Sequence, residues 1–238
     1  MASVISALDD RATALLFDLD GTITDSIEGI TRSYRYAFEQ IGLPSPDADF
    51  LRGVVGPPLR VSMGAYGLDD VQVAAAIAAY RERYHDVGWL ENSVFAGMAE
   101  LLAELAASGR RMAVATSKNE PIARRIVDHF GLSDHFAIVA GAAEDGSRPT
   151  KAAVIDHALE VLQSEGTTPR IVMIGDRSHD VEGAAAHGIP TIGVRWGYAL
   201  PGELEAAQAA AGLARAAGRT STDWIVASVQ RLREELGV

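Results

Sequence analysis

The chain has 238 residues, 48% of them hydrophobic and 22% charged, with a net charge of −11 and a pI near 5.0. That length suits one large domain or a core with a smaller companion, and the composition excludes disorder. The acidic surplus argues against nucleic acid polymers and acidic membranes as partners, and the lack of cysteine excludes disulfides, thiolate metal sites and cysteine nucleophiles.

The opening stretch MASVISALDDRATA has no basic segment and no long apolar run, so it does not read as a signal peptide. No apolar run nears the roughly 18 residues of a membrane span, and a cytoplasmic protein is the expectation. TALLFDL (13–19) reads as a buried strand that turns acidic at Asp18 and Asp20. Alternation along a strand would put both carboxylates on one face. Two like charges about 4 Å apart cost roughly 4 kcal/mol at an effective dielectric near 20. Something elsewhere in the chain must offset that cost.

Residues 24–97 have a different texture. SIEGITRSYRYAFEQIG, a piece around PLRVSMGAYG, and DVQVAAAIAAYRERYHDVGW read as helices, broken at LPSPDAD, GVVGPP and ENSVFAG. An insertion of this size after a first strand predicts a small helical lid (24–97) on a core made of 1–23 and 98–238.

RMAVAT (111–116), FAIVAG (136–141), RIVMIG (170–175) and TIGVRW (191–196) are further apolar segments, separated by helical patterns that close near glycine. Strands alternating with helices predict an α/β fold, a Rossmann-like parallel sheet flanked by helices. Ligands in such sheets sit beyond the carboxyl ends of the strands. ELEAAQAAAGLARAAGR and TDWIVASVQRLREELGV read as closing helices.

Four segments carry chemistry: DLDGT followed by DS, VATSKN, DGSRPTKAAVI and MIGDRSHDVEGAAAHGI. In that order they resemble the four motifs of the haloacid dehalogenase (HAD) superfamily, and the helical insertion resembles its cap. The resemblance covers residues 12 to 200. GPPL in the insertion, DGSR, GDRSHD and WGY (196–198) are similar to the phosphoglycolate phosphatase and 5′-nucleotidase-like subgroup.

The resemblance implies roles that make physical sense. Asp18 would attack phosphorus to give an aspartyl phosphate. Asp20 would protonate the leaving oxygen, later deprotonate water, and lend its backbone carbonyl to a metal. Gly21 lets the chain leave the strand sharply, and Thr22 orders that turn. Thr116, with Ser117 and Gly21, would hold the phosphoryl oxygens, and Lys151 would neutralise Asp18 and the phosphoryl group. Asp176 and Asp180, four apart, join Asp18 and Asp20 as ligands for Mg²⁺, which suits oxygen donors.

Of the 21 basic residues 19 are arginine, so the two lysines stand out. One is Lys151. The other, Lys118, reads either as a substrate contact or as a loop lysine paired with nearby acids. Asn119 is either a phosphate contact or, the favoured reading, the N-cap of the helix at EPIARR. Arg60, beside GPPL, and Arg52 are candidate substrate contacts from the cap, each balanced by a plain surface role. Arg177 and His179 read as supporting residues. His85, His129, His135, His157 and His187 make no metal spacing, and Trp89 and Trp196 read as packing residues.

The expected activity is Mg²⁺-dependent hydrolysis of a small phosphorylated metabolite, phosphoglycolate- or nucleotide-like. Asp20 argues against dehalogenation, which needs no proton donor. Residues 24–97 contain no lysine, which excludes a Schiff-base phosphonatase. A phosphomutase, or a phosphotransferase that includes a HAD-type protein tyrosine kinase with a protein phospho-acceptor, is the alternative. The sequence has no P-loop and no kinase glycine-rich loop. A non-catalytic binding protein is the least favoured reading, because no catalytic position is lost. Monomer and dimer are not distinguished.

Overall fold

The computed structural model describes residues 11–163, 170–212 and 224–238. Strand β1 (Ala14–Phe17) is buried at every position, as a strand covered on both faces must be. Beyond it the chain forms a short ribbon, β2 (Thr24–Asp25), which pairs antiparallel with β3 (Ser93–Val94) where the chain returns. Between them lie α1 (Ile27–Gln40), α2 (Ala48–Arg52), α3 (Leu59–Ala65) and α4 (Asp70–Asp86). α1 and α4 pack together, and the Tyr34 ring meets Tyr80 edge-on with centroids 5.3 Å apart.

The remaining strands are β4 (Met112–Asn119), β5 (Val139–Ala142), β6 (Ile171–Gly175), β7 (Thr191–Val194) and β8 (Ile225–Val226). With β1 they form one sheet in the order β5-β4-β1-β6-β7-β8, with every pairing parallel. The helices of this part are α5 (Met98–Ala107), α6 (Glu120–His129), α7 (Lys151–Gln163), α8 (Ser178–Ala185), α9 (Glu203–Ala211) and α10 (Val229–Leu236).

Alternation sorts the core into two layers. Leu15, Phe17, Val114 and Ile174 face α5, α6 and α10, while Leu16, Ala113, Ala115 and Met173 face Val154, Ile155 and Ala158 of α7. Truncating a side chain such as Leu15 to alanine costs about 2–5 kcal/mol at such sites. The chain runs from β1 to β4 and β5 on one side, then to β6 and β7 on the other. That reversal opens a crevice at the carboxyl ends of β4, β1 and β6.

Several local expectations change. β1 stops at Phe17, so strand alternation no longer governs Asp18 and Asp20. LPSPDAD contains the start of α2, where the Asp47 side chain accepts from Phe50 N at 2.8 Å. The tail 222–238 is not all helix. Ile225–Val226 pair with β7, and α10 starts at Val229 after the Ser228 cap, which accepts from Arg231 N at 3.1 Å. The alanine-rich helix ends at Ala211, and the rest of that tract, from 213, lies outside the described residues, as does the stretch 1–10. Among the described residues no helix is long and apolar enough to cross a membrane.

Candidate active site

Asp18 leaves the end of β1, Asp176 leaves the end of β6, and Asp180 sits in the first turn of α8. Their carboxylate oxygens lie within 4.8 Å of one another, all buried. Glycines make this crowding feasible. A Cβ on Gly21, whose φ is +84°, would stand 2.2 Å from Asp176 Oδ2, and one on Gly175 would stand 2.3 Å from Asp180 Oδ2. Asp180 Oδ2 accepts from Arg177 N at 3.0 Å, so a cluster member also closes the start of its own helix.

Lys151 enters this cluster from the first turn of α7, which the Thr150 hydroxyl opens by accepting from Ala153 N at 3.2 Å. Its Nζ lies 2.9 Å from Asp18 Oδ1 and 2.7 Å from Asp180 Oδ1, and it donates to Ala115 O at 2.9 Å. Gly183 of α8 makes room for the stem, since a Cβ there would lie 2.7 Å from Lys151 Cγ. Burial alone would lower the lysine pKa, but Asp18 and Asp180 outweigh it and hold the ammonium charged.

Burial pushes the Asp18 carboxyl up to about 6 against the opposing pull of Lys151, with repulsion from Asp180 and then Asp20 adding to the rise. Asp176 is raised well above the usual carboxylate range, first by burial and then by Asp180 and Asp18. The Asp18 and Asp180 Oδ1 atoms are buried against the Lys151 ammonium. With every carboxyl ionised, four carboxylates against two ammonium groups leave a surplus of two negative charges. Hard oxygen donors and that surplus fit one divalent cation.

Asp20 takes a different direction. Its Oδ2 lies 2.6 Å from Lys118 Nζ, and its Oδ1 has no hydrogen-bond partner among the described residues. The repulsion between Asp18 and Asp20 is thus met first by two lysines, one for each aspartate. The Asp20 side chain stands outside the three-carboxylate cluster. Of the two readings of Lys118, pairing with an acid is observed, and the residue also lines the cavity above the site.

That cavity holds about 480 Å³ between the strand ends and the inserted helices. Asp18, Asp20, Thr116, Ser117, Lys118 and Asn119 form its floor, and Arg60 is at its wall. Thr116 is buried, and its Oγ1 accepts from Lys118 N at 3.3 Å. Gly21 does not line the cavity, and its N–H already donates to Thr24 O at 2.8 Å. What the structure shows for Gly21 is a steric role beside Asp176. Asn119 occupies the start of α6, but its side chain makes no capping bond, and its buried Oδ1 has no partner among the described residues. Arg60 is exposed and reaches Asp70 at 3.7 Å, while Arg52 pairs with Asp49 away from the cavity.

Three groups make contacts that the sequence did not specify. Tyr80 and Tyr84, one turn apart on α4, stack at 5.4 Å and line the cavity, and their (i, i+4) spacing was the available signal. Arg177 is buried and donates from its guanidinium to Val55 O in the GVVGPP loop and to Glu203 Oε1 at 2.9 Å. Tyr198 donates from its main chain to Asp176 Oδ2 at 2.7 Å.

The model of the family described as haloacid dehalogenase-like hydrolase matches residues 15–194. The tyrosine-protein kinase PtkA of Mycobacterium tuberculosis is 48% identical over 226 residues, 94% of this chain and 72% of the kinase. Its solved structure superposes with a TM-score of 0.77 over 95% of this chain and 98% of that one, at 46% identity. A 5′-nucleotidase from Pseudomonas aeruginosa is 43% identical, covering 83% of this chain and 89% of its own. A crystal structure described as a predicted phosphatase from Clostridium acetobutylicum gives a TM-score of 0.79 at 36% identity, covering 94% and 97%.

Proposed function

The chain belongs to the haloacid dehalogenase-like hydrolases and is a phosphoric monoester hydrolase, and from that premise we propose a Mg²⁺-dependent phosphatase working through an aspartyl phosphate at Asp18. Residues 24–97 act as its cap, over a core of 1–23 and 98–238. The observation that carries this reading is Lys151 Nζ standing within 3 Å of both Asp180 and Asp18, the latter of which lines the cavity.

Asp18, Asp176 and Asp180, with the Asp20 main chain, would hold the cation, which supplies neutralisation of the phosphoryl charge when bound. Thr116 and Ser117 hold the phosphoryl oxygens, and Lys151 keeps the Asp18 carboxylate charged and aimed. An oxygen of Asp18 forms a bond to phosphorus as the bond from phosphorus to the alcohol oxygen breaks. The Asp20 carboxyl gives its proton to that leaving oxygen. Water then attacks the aspartyl phosphate and its proton passes to Asp20, which frees Asp18 and inorganic phosphate. Lys118 occupies Asp20 Oδ2, so Oδ1 is the oxygen placed for both transfers.

The substrate is a small phosphorylated metabolite. A cavity of about 480 Å³ exceeds what a glycolate group fills and accepts a nucleoside-sized alcohol. Ile30, Val54, Leu59, Ile77, Tyr80 and Tyr84 give it an apolar wall, which favours the nucleotide-like end of the range.

The 48% identity to a tyrosine-protein kinase favours one second reading, transfer of the phosphoryl group from Asp18 to a tyrosine hydroxyl of a protein. Phosphate release should be followed with phosphoglycolate, nucleoside monophosphates, sugar phosphates and phosphotyrosine, with Mg²⁺ and with chelator. Labelled ATP with candidate protein acceptors is the companion assay. Mg²⁺-dependent release lost in Asp18→Asn supports the phosphatase, and label passed to protein without phosphate release supports the transferase. Release that persists in Asp18→Asn overturns both.

A further inference from the structure

The WGY tract connects two parts of the molecule that the reaction treats separately. It follows β7 and lies across the loop between β1 and β2. Trp196 Nε1 donates to Thr22 O at 3.1 Å. Gly197 lies so close that a Cβ would stand 2.3 Å from Asp176 Cβ and 2.4 Å from Gly21 O. No other residue type fits there without moving main chain.

Tyr198 then binds in two directions. Its main-chain N–H donates to Asp176 Oδ2 at 2.7 Å. Its hydroxyl donates to Asp25 Oδ1 at 2.8 Å and accepts from Ser26 N at 2.8 Å. Asp25 lies in β2 and pairs with Ser93 of β3, so the phenol grips the ribbon through which the chain leaves the sheet and returns. Ser26 immediately precedes α1, the first helix of the insertion.

We propose that Tyr198 is a positioning residue that joins the cap hinge to the cluster carboxylate Asp176. Its hydroxyl seats the hinge, and its main chain orients Asp176. The proposal rests on the reading of residues 24–97 as a cap and of Asp176 as a metal ligand. Its consequence is a separation of effects. Removing the hydroxyl strips the hinge of two hydrogen bonds, one to a charged group, and leaves the bond to Asp176 intact.

The test uses the full chain and its Tyr198→Phe, Asp25→Asn and doubly substituted variants. p-Nitrophenyl phosphate hydrolysis gives KM and kcat, a Mg²⁺ titration gives half-saturation, and hydrogen exchange reports the ribbon amides at 24–25 and 93–94. For Tyr198→Phe the expected result is a KM rise of about tenfold, with Mg²⁺ half-saturation within about twofold of the parent. Asp25→Asn should raise KM similarly, and the double variant should be no worse than either single one, as partners in one contact behave. The ribbon amides should exchange faster while those of β1 and β6 do not change.

Unchanged KM and unchanged ribbon exchange overturn the proposal. So does a Mg²⁺ half-saturation that moves as far as KM, or KM effects that multiply in the double variant. If the parent chain shows no Mg²⁺-dependent release yet the ribbon exchange responds, the phosphatase reading fails and the hinge contact stands.

Discussion

Lys118 Nζ lies 2.6 Å from Asp20 Oδ2 and 4.7 Å from the centroid of the Tyr84 ring, so one ammonium group joins the candidate acid–base to helix α4 of the insertion. A partner that fixes one carboxyl oxygen leaves the other free for proton transfer. Lys118→Met keeps the stem and removes the charge. It is expected to slow the first, ester-cleaving step about 10²-fold for alkyl phosphates, read in single-turnover experiments. The loss in that step should be smaller for p-nitrophenyl phosphate, whose leaving oxygen needs no proton. Equal losses in the first step on the two esters would show that Lys118 does not serve Asp20 as the acid.

Asp20→Asn separates the two halves of the reaction. With p-nitrophenyl phosphate the first step proceeds without an acid, but water attack lacks its base. A burst of about one nitrophenolate per chain should precede a steady rate lowered about 10²–10⁴-fold. Stopped-flow absorbance measures both phases. A linear time course without a burst would place Asp20 in the first step alone.

The crowded cluster predicts a pH dependence of stability. Burial above all holds the Asp18 carboxyl at about 6 against 3.8 for an ordinary aspartate, and Asp176 is raised in the same direction. The folded metal-free chain therefore binds these protons more tightly than the unfolded chain does. For Asp18 the contribution to stability is present at low pH and is lost as pH rises from about 4 through about 6, and Asp176 acts in the same direction. For Asp18, a carboxyl moved from 3.8 to about 6 corresponds to about 3 kcal/mol. Melts of the metal-free protein should show this decline relative to Asp18→Asn, and Mg²⁺ should raise the midpoint more at pH 7 than at pH 4.5. Parallel pH profiles for parent and variant would contradict it.

Gly197→Ala tests how tightly the cluster is walled. A Cβ 2.3 Å from Asp176 Cβ and 2.4 Å from the Gly21 carbonyl must push one of them aside. Mg²⁺ half-saturation should rise more than tenfold, read by calorimetric titration. An unaltered affinity would mean that Asp176 is not held by this contact.

The parts legible in the chain were those written in consecutive residues. An apolar run ending in Asp18, a lysine opening α7 and Asp176 just past β6 each mark the limit of an element, whereas Thr116 lies inside β4, which runs on to Asn119. Parallel strand order then brings such limits together. The paired lysines were half legible: two lysines among 21 basic residues was a signal, but the sequence did not tell which aspartate Lys118 would meet. Tyr198 was seen as a motif and not as a contact, because its partner Asp25 is 173 positions away and joined through two loops. β8 was missed because a two-residue strand shows no alternation, and helical spacing in the residues that follow absorbed it. α2 was hidden by Pro44 and Pro46, which precede it, although Asp47 carried the capping signal.

The central claim is a covalent phosphoryl group on Asp18, and the direct measurement is to trap it. The Asp20→Asn variant is mixed with Mg²⁺ and an isotopically labelled phosphate ester, quenched in acid within the burst, digested and mapped. The account predicts about one hydroxylamine-labile phosphate per chain on the peptide that carries Asp18, and none when Asp18 is also replaced by asparagine. Product formation in the burst with no label on that peptide, or label on another residue, would contradict it.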